Sequence, residues 1–392
     1  MKKIVIFILT FGLLTHNANA LWSTGHALVA EIAYEQLDHT TLTKVDQLLN
    51  TQPDVPQIGD GKQPSPTPEV LYQTYNYMQG AASWPDDIKR YYWVNFNQKN
   101  NFSSMHFIDI RLDLSKQGDS QYCSNTLNNA YINQTINENK ENIVTAIESA
   151  IKTLALNNTS NSEKATALRY LIHFMGDLAQ PLHASDPVLD GLDTYGGNKM
   201  YFQANENPYY QQVTGSNPFD DYTPQSIANL HAYFDSELAE FNQLQETIDS
   251  SYSPNGFELW SQNKDQYLDY LNYLATRTGT YDDKTELNVI SWALGTSKLA
   301  CKMLISDDDT FHYQLSSNEK SIIVDYNLLL LNQYDKDINQ QVYLNGVRLS
   351  YLLKAIFQPQ SEDPQVINYR EKIILPILNN QNILTLNQLS QA

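Results

Sequence analysis

The stretch "SEKATALRYLIHFMGDLAQPLH", residues 162 to 183, decides the fold. Its apolar residues recur at mixed spacings of three and four, the period of a long, largely buried helix. Ser162 is the expected cap and Pro181 the expected stop. The same stretch carries polar groups that a buried helix does not need. His173 and Asp177 stand four apart and so share one helix face, and His183 follows just past the proline. Imidazole and carboxylate converging in this way are what a zinc or mixed transition-metal site requires. The pair alone would read as a core histidine hydrogen-bonded to an aspartate; His183 shifts the reading to a metal.

Working outward, the same periodicity recurs in "HALVAEIAYEQL" (26 to 37), "NIVTAIESAIKTLAL" (142 to 156), "QSIANLHAYFDSELAEF" (225 to 241), "NVISWALGTSKLACKML" (288 to 304) and "NGVRLSYLLKAIF" (345 to 357). Convincing period-two strands are few, so the expected fold class is all-α, a single compact multi-helix domain. Turn-rich pieces at 51 to 70, 185 to 200 and 205 to 224 connect the helices, the first reading as an exposed insertion. No linker or repeat divides the chain. Residues 21–357 are expected to form the domain, with 358–392 an appendage whose role the sequence leaves open.

Residues 1–20 have the layout of a secretory signal: Lys2 and Lys3, an apolar run from Ile4 to Leu14, and the small-x-small site Ala18-Asn19-Ala20. Cleavage there would make Leu21 the first mature residue, five ahead of His26. No other run is apolar enough to span a bilayer, so the product is expected to be exported, to the periplasm or the medium, without stable membrane association. Two cysteines, Cys123 and Cys301, read as one disulfide in an oxidising compartment, the alternative being two free thiols. The formal charge is −19. That excludes duplex binding by phosphate neutralisation with Lys and Arg, and a phosphate-bearing substrate would need bound metal for its positive field.

"NLHAYFD" repeats the His-x3-Asp device with His231 and Asp235, while "SWPDD" (83 to 87) and "SSMHFIDI" (103 to 110) add Asp86 and His106. Each is ordinary alone: a helix-surface pair, a helix cap, an interior histidine. Yet of the seven histidines beyond the expected signal, five (His26, His106, His173, His183, His231) sit in segments accompanied by acids, and His39 and His312 are left as surface residues. Five histidines and three aspartates exceed what one zinc needs, so two or more metals follow. Clustered metals suit in-line phosphoryl displacement.

With these motifs in order, the chain resembles the S1/P1 family of zinc-dependent single-strand nucleases and 3'-nucleotidases. The likeness runs from Leu21 to about Phe357 through "GHALVAEIA", "SWPDD", "MHFID", "HFMGDLAQPLH", "YGGNKM", "NLHAYFD" and "GVRLSYLL". It implies a mostly helical fold of the zinc-dependent phospholipase C/nuclease P1 type, three zinc ions, and hydrolysis of single-stranded DNA and RNA to 5'-nucleotides by metal-activated hydroxide. By the resemblance, Asp86, His106, His173 and Asp177 hold one zinc. His183, His231 and Asp235 hold a second. His26, the shared Asp177 and the backbone nitrogen and oxygen of Leu21 hold the third. The resemblance also implies a Cys123–Cys301 disulfide and substrate contacts from Phe107, Asp109, Tyr195 and Asn198. Aromatic stacking favours unpaired bases of any kind. Two departures stand out. Leu21 replaces the family's usual first Trp, and Lys89, with Arg90 adjacent, replaces the family's arginine near Asp86 in the catalytic role, losing the bidentate fork.

Two rival readings remain at this point. A zinc-dependent phospholipase C would share the three-metal scheme, but such relatives lack "QPLH" and "GGNK" and usually carry Glu where Asp235 stands. A secreted metal-binding protein without catalysis would suit the acidity and the 26 tyrosines. The expected state is a monomer acting on single-stranded nucleic acid and 3'-nucleotides.

Overall fold

A computed structural model of the protein describes residues 23–54, 76–86, 88, 103–202, 229–236, 287–306, 311–326 and 328–389. The expected signal (1–20), Leu21, Lys89, Arg90, residues 55–70 of the insertion and the loop at 205–224 lie outside these residues.

Seven helices frame the described molecule: α1 (Ser23–Glu35), α2 (His39–Leu49), α3 (Ile143–Ala155), α4 (Asn161–Asp177), α5 (Leu230–Ser236), α6 (Val289–Cys301) and α7 (Leu328–Phe357). The fold is mostly helical, as the periodicity predicts. At its centre α4 packs against α3 and α1, and α1 packs in turn against α7. Gly346 makes that last approach close, because a methyl group there would fall 2.5 Å from Ile32 Cβ. Leu28, Val29, Ile147, Ile151, Leu168, Ile172 and Leu349 fill one continuous core. No described helix is long and apolar enough to cross a membrane.

The start of α4 differs from the sequence reading. Ser160, not Ser162, is the cap, in a reciprocal box: Glu163 N–H donates to Ser160 Oγ (3.2 Å) and Ser160 N–H to Glu163 Oε2 (2.8 Å). Ser162 instead donates to the Gln52 carbonyl, pinning the neighbouring loop. The helix also ends earlier, at Asp177. Gln180 is extended, as the residue before a proline prefers, and Pro181 opens a separate 3₁₀ turn, Pro181–Ala184.

Two small sheets were not visible in the sequence. Strand β2 (Asp186–Leu189) lies between parallel β1 (Arg111–Asp113) and antiparallel β3 (Leu192–Asp193), with Arg111 opposite Asp186. Strand β6 (Ile322–Tyr326) lies between parallel β4 (Met200–Phe202) and antiparallel β5 (Phe311–Leu315). Strands of two to five residues are too short to display a period.

Residues beyond 358 join the same core. Val366, Tyr369, Ile373, Ile374, Ile377, Leu386 and Leu389 are buried in it. Lys152 on α3 donates to the carbonyls of Asn380 and Ile383, and Leu386 N–H donates to Thr153 Oγ1. Cys123 and Cys301 form a disulfide, with Cα atoms 5.8 Å apart. His39 and His312 are exposed, as expected.

Candidate metal centre

The last two turns of α4 point His173 and Asp177 into the junction of five other segments. α1 supplies His26, the short helical run at 84–86 supplies Asp86, and the 3₁₀ turn Ser103–His106 ends in His106. The turn Pro181–Ala184 brings His183, and α5 brings His231 and Asp235 on one face. All eight side chains are buried except that of His231, which is partly open. They form three groups whose candidate ligand atoms lie within 4.8 Å of one another: His26, His173 and Asp177; Asp86, His106 and His173; and His183, His231 and Asp235.

Asp177 is the hub. Its Oδ2 lies 2.9 Å from His106 Nδ1 and 3.1 Å from His173 Nε2, and its Oδ1 lies 3.4 Å from His26 Nε2 and 3.5 Å from His183 Nδ1. Asp86 Oδ1 stands 3.7 Å from His173 Nε2 and 3.8 Å from His106 Nδ1. In the third group, Asp235 Oδ2 is 3.4 Å from His231 Nε2, and Oδ1 is 3.8 Å from His183 Nε2. Burial would raise the Asp177 carboxyl, but the facing His173, His183 and His106 outweigh it and hold it well below the usual range.

The donor set fits a metal for a specific reason. His173 Nδ1 meets the Ala82 carbonyl at 2.6 Å, His183 Nδ1 the His106 carbonyl at 2.7 Å, and His231 Nδ1 the Gly196 carbonyl at 2.7 Å. A carbonyl only accepts, so in each ring Nδ1 carries the hydrogen, and in the neutral imidazole Nε2 presents a lone pair. Those lone pairs face carboxylate oxygens, which also only accept. Acceptors gathered at this spacing in a buried space call for a cation between them.

The residues expected to contact substrate lie near the same junction. Ile108 N–H donates to the His183 carbonyl, which ties the strip 106–110 to the Pro181–Ala184 turn. Phe107 is half-buried, and its carbonyl accepts from Ile143 N–H at the start of α3. Tyr195 is 62% exposed and sits at a φ of 52°, an outlier for a bulky residue, with Lys199 Nζ 4.1 Å from its ring centre. Asn198 donates to the Tyr195 carbonyl at 2.8 Å. The loop is moored underneath by buried Asp186, whose Oδ1 accepts from Gly196 N–H (2.9 Å) and Thr194 Oγ1 (3.2 Å). Asp109 is exposed at the surface, yet partial desolvation by the surrounding protein, then the charge of Asp193, pushes its carboxyl up to about 6 against the pull of Arg111.

Sequence reading missed three contributors. Gly176 leaves room for the His26 ring, which stacks on His173 at 4.0 Å. Gln180 bonds directly to Asp235. Arg169, wholly buried, donates to the carbonyls of Ala165 and Leu49 and lies over the Trp84 ring at 5.6 Å, bracing the segment that carries Asp86. Their residue types advertise none of this. Only the position of Gly176 and Gln180 inside the quoted motif hinted at it.

A helical scaffold that gathers three His/Asp groups able to hold metal ions is the arrangement of a metal-dependent hydrolase. The chain belongs to the S1/P1 nuclease family, whose profile matches residues 21–358, and it is a hydrolase acting on phosphodiester bonds. S1/P1 nucleases are zinc-dependent in general. Among curated relatives, it is similar to nuclease PA3 of a Penicillium species, with 24% identity over 59% of this chain and 69% of that protein. It is also similar to nuclease P1 of Penicillium citrinum, with 26% identity over 45% of this chain and 56% of the relative. With endonuclease 3 of Arabidopsis thaliana it shares 24% identity over 64% of this chain and 71% of the relative.

Proposed function

We propose that the protein is an exported, zinc-dependent phosphodiesterase that hydrolyses single-stranded DNA and RNA to 5'-nucleotides and also removes the phosphate of 3'-nucleotides. The observation that carries the reading is the set of imidazole lone pairs facing buried carboxylates in three groups around Asp177. Three zinc ions are assigned to them. Asp86, His106, His173 and Asp177 would hold the first, and His183, His231 and Asp235 the second. His26, Asp177 and the backbone of Leu21 would hold the third. Zinc there would supply positive charge for phosphoryl oxygens and acidify water for attack on phosphorus.

The chain's own residues do the rest. Asp177 spans the groups, so it fixes the spacing at which a phosphoryl group is held. Phe107 and the exposed Tyr195 offer flat faces to an unpaired base, and Asp109 and Asn198 offer polar edges beside them. Lys89, in the position of the family's arginine, is assigned a phosphate oxygen. Export is supported by the leader-like sequence of residues 1–20 and by the disulfide. The working state is taken as a monomer.

The test is an assay of the processed protein on single-stranded DNA, RNA, 3'-AMP and phosphatidylcholine, before and after chelation. Nucleotide and 3'-AMP hydrolysis lost with chelator and restored by zinc is the expected result. Lipid hydrolysis without nucleotide hydrolysis would mean a phospholipase C, and stoichiometric zinc with no hydrolysis a binding protein.

A further inference from the structure

Gln180 is wholly buried and makes three bonds that join two distant parts of the third His/Asp group. Its side-chain oxygen accepts from Leu182 N–H, capping the Pro181–Ala184 turn. Its main-chain carbonyl accepts from His183 N–H at 3.1 Å in the same turn. Its Nε2 donates to Asp235 Oδ1 on α5 at 2.8 Å. The amide orientation follows from the first of these, since Leu182 N–H is a donor and must meet the oxygen; the NH₂ group is then aimed at Asp235.

We propose that Gln180 is a positioning residue for this group, holding the Asp235 carboxylate at the spacing a metal needs. The inference rests on reading His183, His231 and Asp235 as a metal site. Asp235 lies on α5 one turn beyond His231, so the two side chains share a helix face. With Oδ1 held by Gln180, Oδ2 is directed toward His231 Nε2, 3.4 Å away. The same amide shapes the turn that presents His183. One side chain therefore sets the separation of His183 from Asp235, two residues that the chain places far apart. Partners of this outer kind alter metal affinity by about 10- to 100-fold when removed.

The test uses the full processed chain and Gln180→Asn. Asparagine is a preferred capping residue, so its oxygen still serves Leu182 N–H, but its amide is one methylene short of Asp235. Zinc is titrated against a competing chelator, and the affinity of each equivalent is read. Three equivalents are expected in the unaltered protein. In Gln180→Asn two should keep their affinity, and the third should weaken about 10- to 100-fold. In an Asp235→Asn background the same change should add almost nothing, because the two act through one contact. Identical affinities in Gln180→Asn and the unaltered protein would overturn the inference alone, as would equal weakening of all three equivalents or full additivity with Asp235→Asn. An unaltered protein that takes up no zinc would overturn the metal reading first, and this inference with it. Should Gln180→Asn fail to fold, Gln180→Met is titrated against the same criteria.

Discussion

Gly176 and His26 occupy one space: a methyl group on Gly176 would come within 2.2 Å of His26 Nδ1. The glycine sits inside α4, one residue before Asp177, where it weakens the helix by roughly 1 kcal/mol relative to alanine. Its presence lets α1 approach closely enough for the His26 ring to stack on His173. Gly176→Ala is therefore expected to help α4 locally and to expel His26. Zinc content should fall by one equivalent and phosphodiester hydrolysis by about 10- to 100-fold, with the helical circular dichroism retained. Full zinc content in the alanine variant would show that His26 is not held by this packing.

An additional residue ahead of Leu21 should have a related effect. If the backbone nitrogen and oxygen of Leu21 are ligands, signal removal helps build the centre, and a retained residue puts an amide where a free amine is needed. Protein with a one-residue N-terminal extension is expected to lose one zinc equivalent and most of its activity. Full zinc and full activity in the extended protein would remove Leu21 from the ligand set.

Asp186 gives the loop at 194–197 a pH dependence. Burial first, and the charges of Asp193 and Asp109 after it, push this carboxyl up to about 7, although Gly196 N–H pulls it down. A carboxyl raised by folding favours its protonated form in the native state. Its stabilising contribution is complete below the ordinary aspartate value of about 4 and is lost as pH rises through about 7. Asp186→Asn keeps an acceptor for Gly196 N–H but cannot titrate. The melting temperature of the unaltered protein should fall more steeply between pH 4 and 8 than that of the variant. Parallel curves would exclude Asp186 as the titrating group.

The Cys123–Cys301 bridge closes a separation of 178 residues. Replacing both cysteines with serine should lower stability by roughly 2–5 kcal/mol, chiefly by freeing the unfolded chain. Zinc stoichiometry of the folded fraction at low temperature should not change, because neither cysteine belongs to the three groups. Thermal melts and metal analysis check the two halves of this statement separately.

What the sequence could disclose follows from how each feature is encoded. His173 and Asp177 were legible because a spacing of four has one meaning on a buried helix, and His231 with Asp235 repeats it. The helices were legible because their apolar faces recur over many turns. Ser160 and Ser162 could not be told apart by residue type; Glu163 decides between them by bonding back to Ser160. β2 owes its existence to pairing with β1 across a long chain separation, and four residues carry too little pattern to announce it. Ile373 and Ile374 gave no hint of destination in a proline-punctuated tail, because their burial depends on surfaces presented by other helices.

The donors around Asp177 come from points along the chain as remote as His26 and Asp235, and they meet only where α1, the run at 84–86, α4, α5 and two short turns converge. No short segment could gather enough of them to capture an ion early, unlike a zinc finger whose ligands are near neighbours. The apolar packing of α1, α3, α4 and α7 has to be complete before the ligand cage exists. On the reading proposed above, zinc would be a late arrival in maturation, admitted to a scaffold that apolar burial has already assembled.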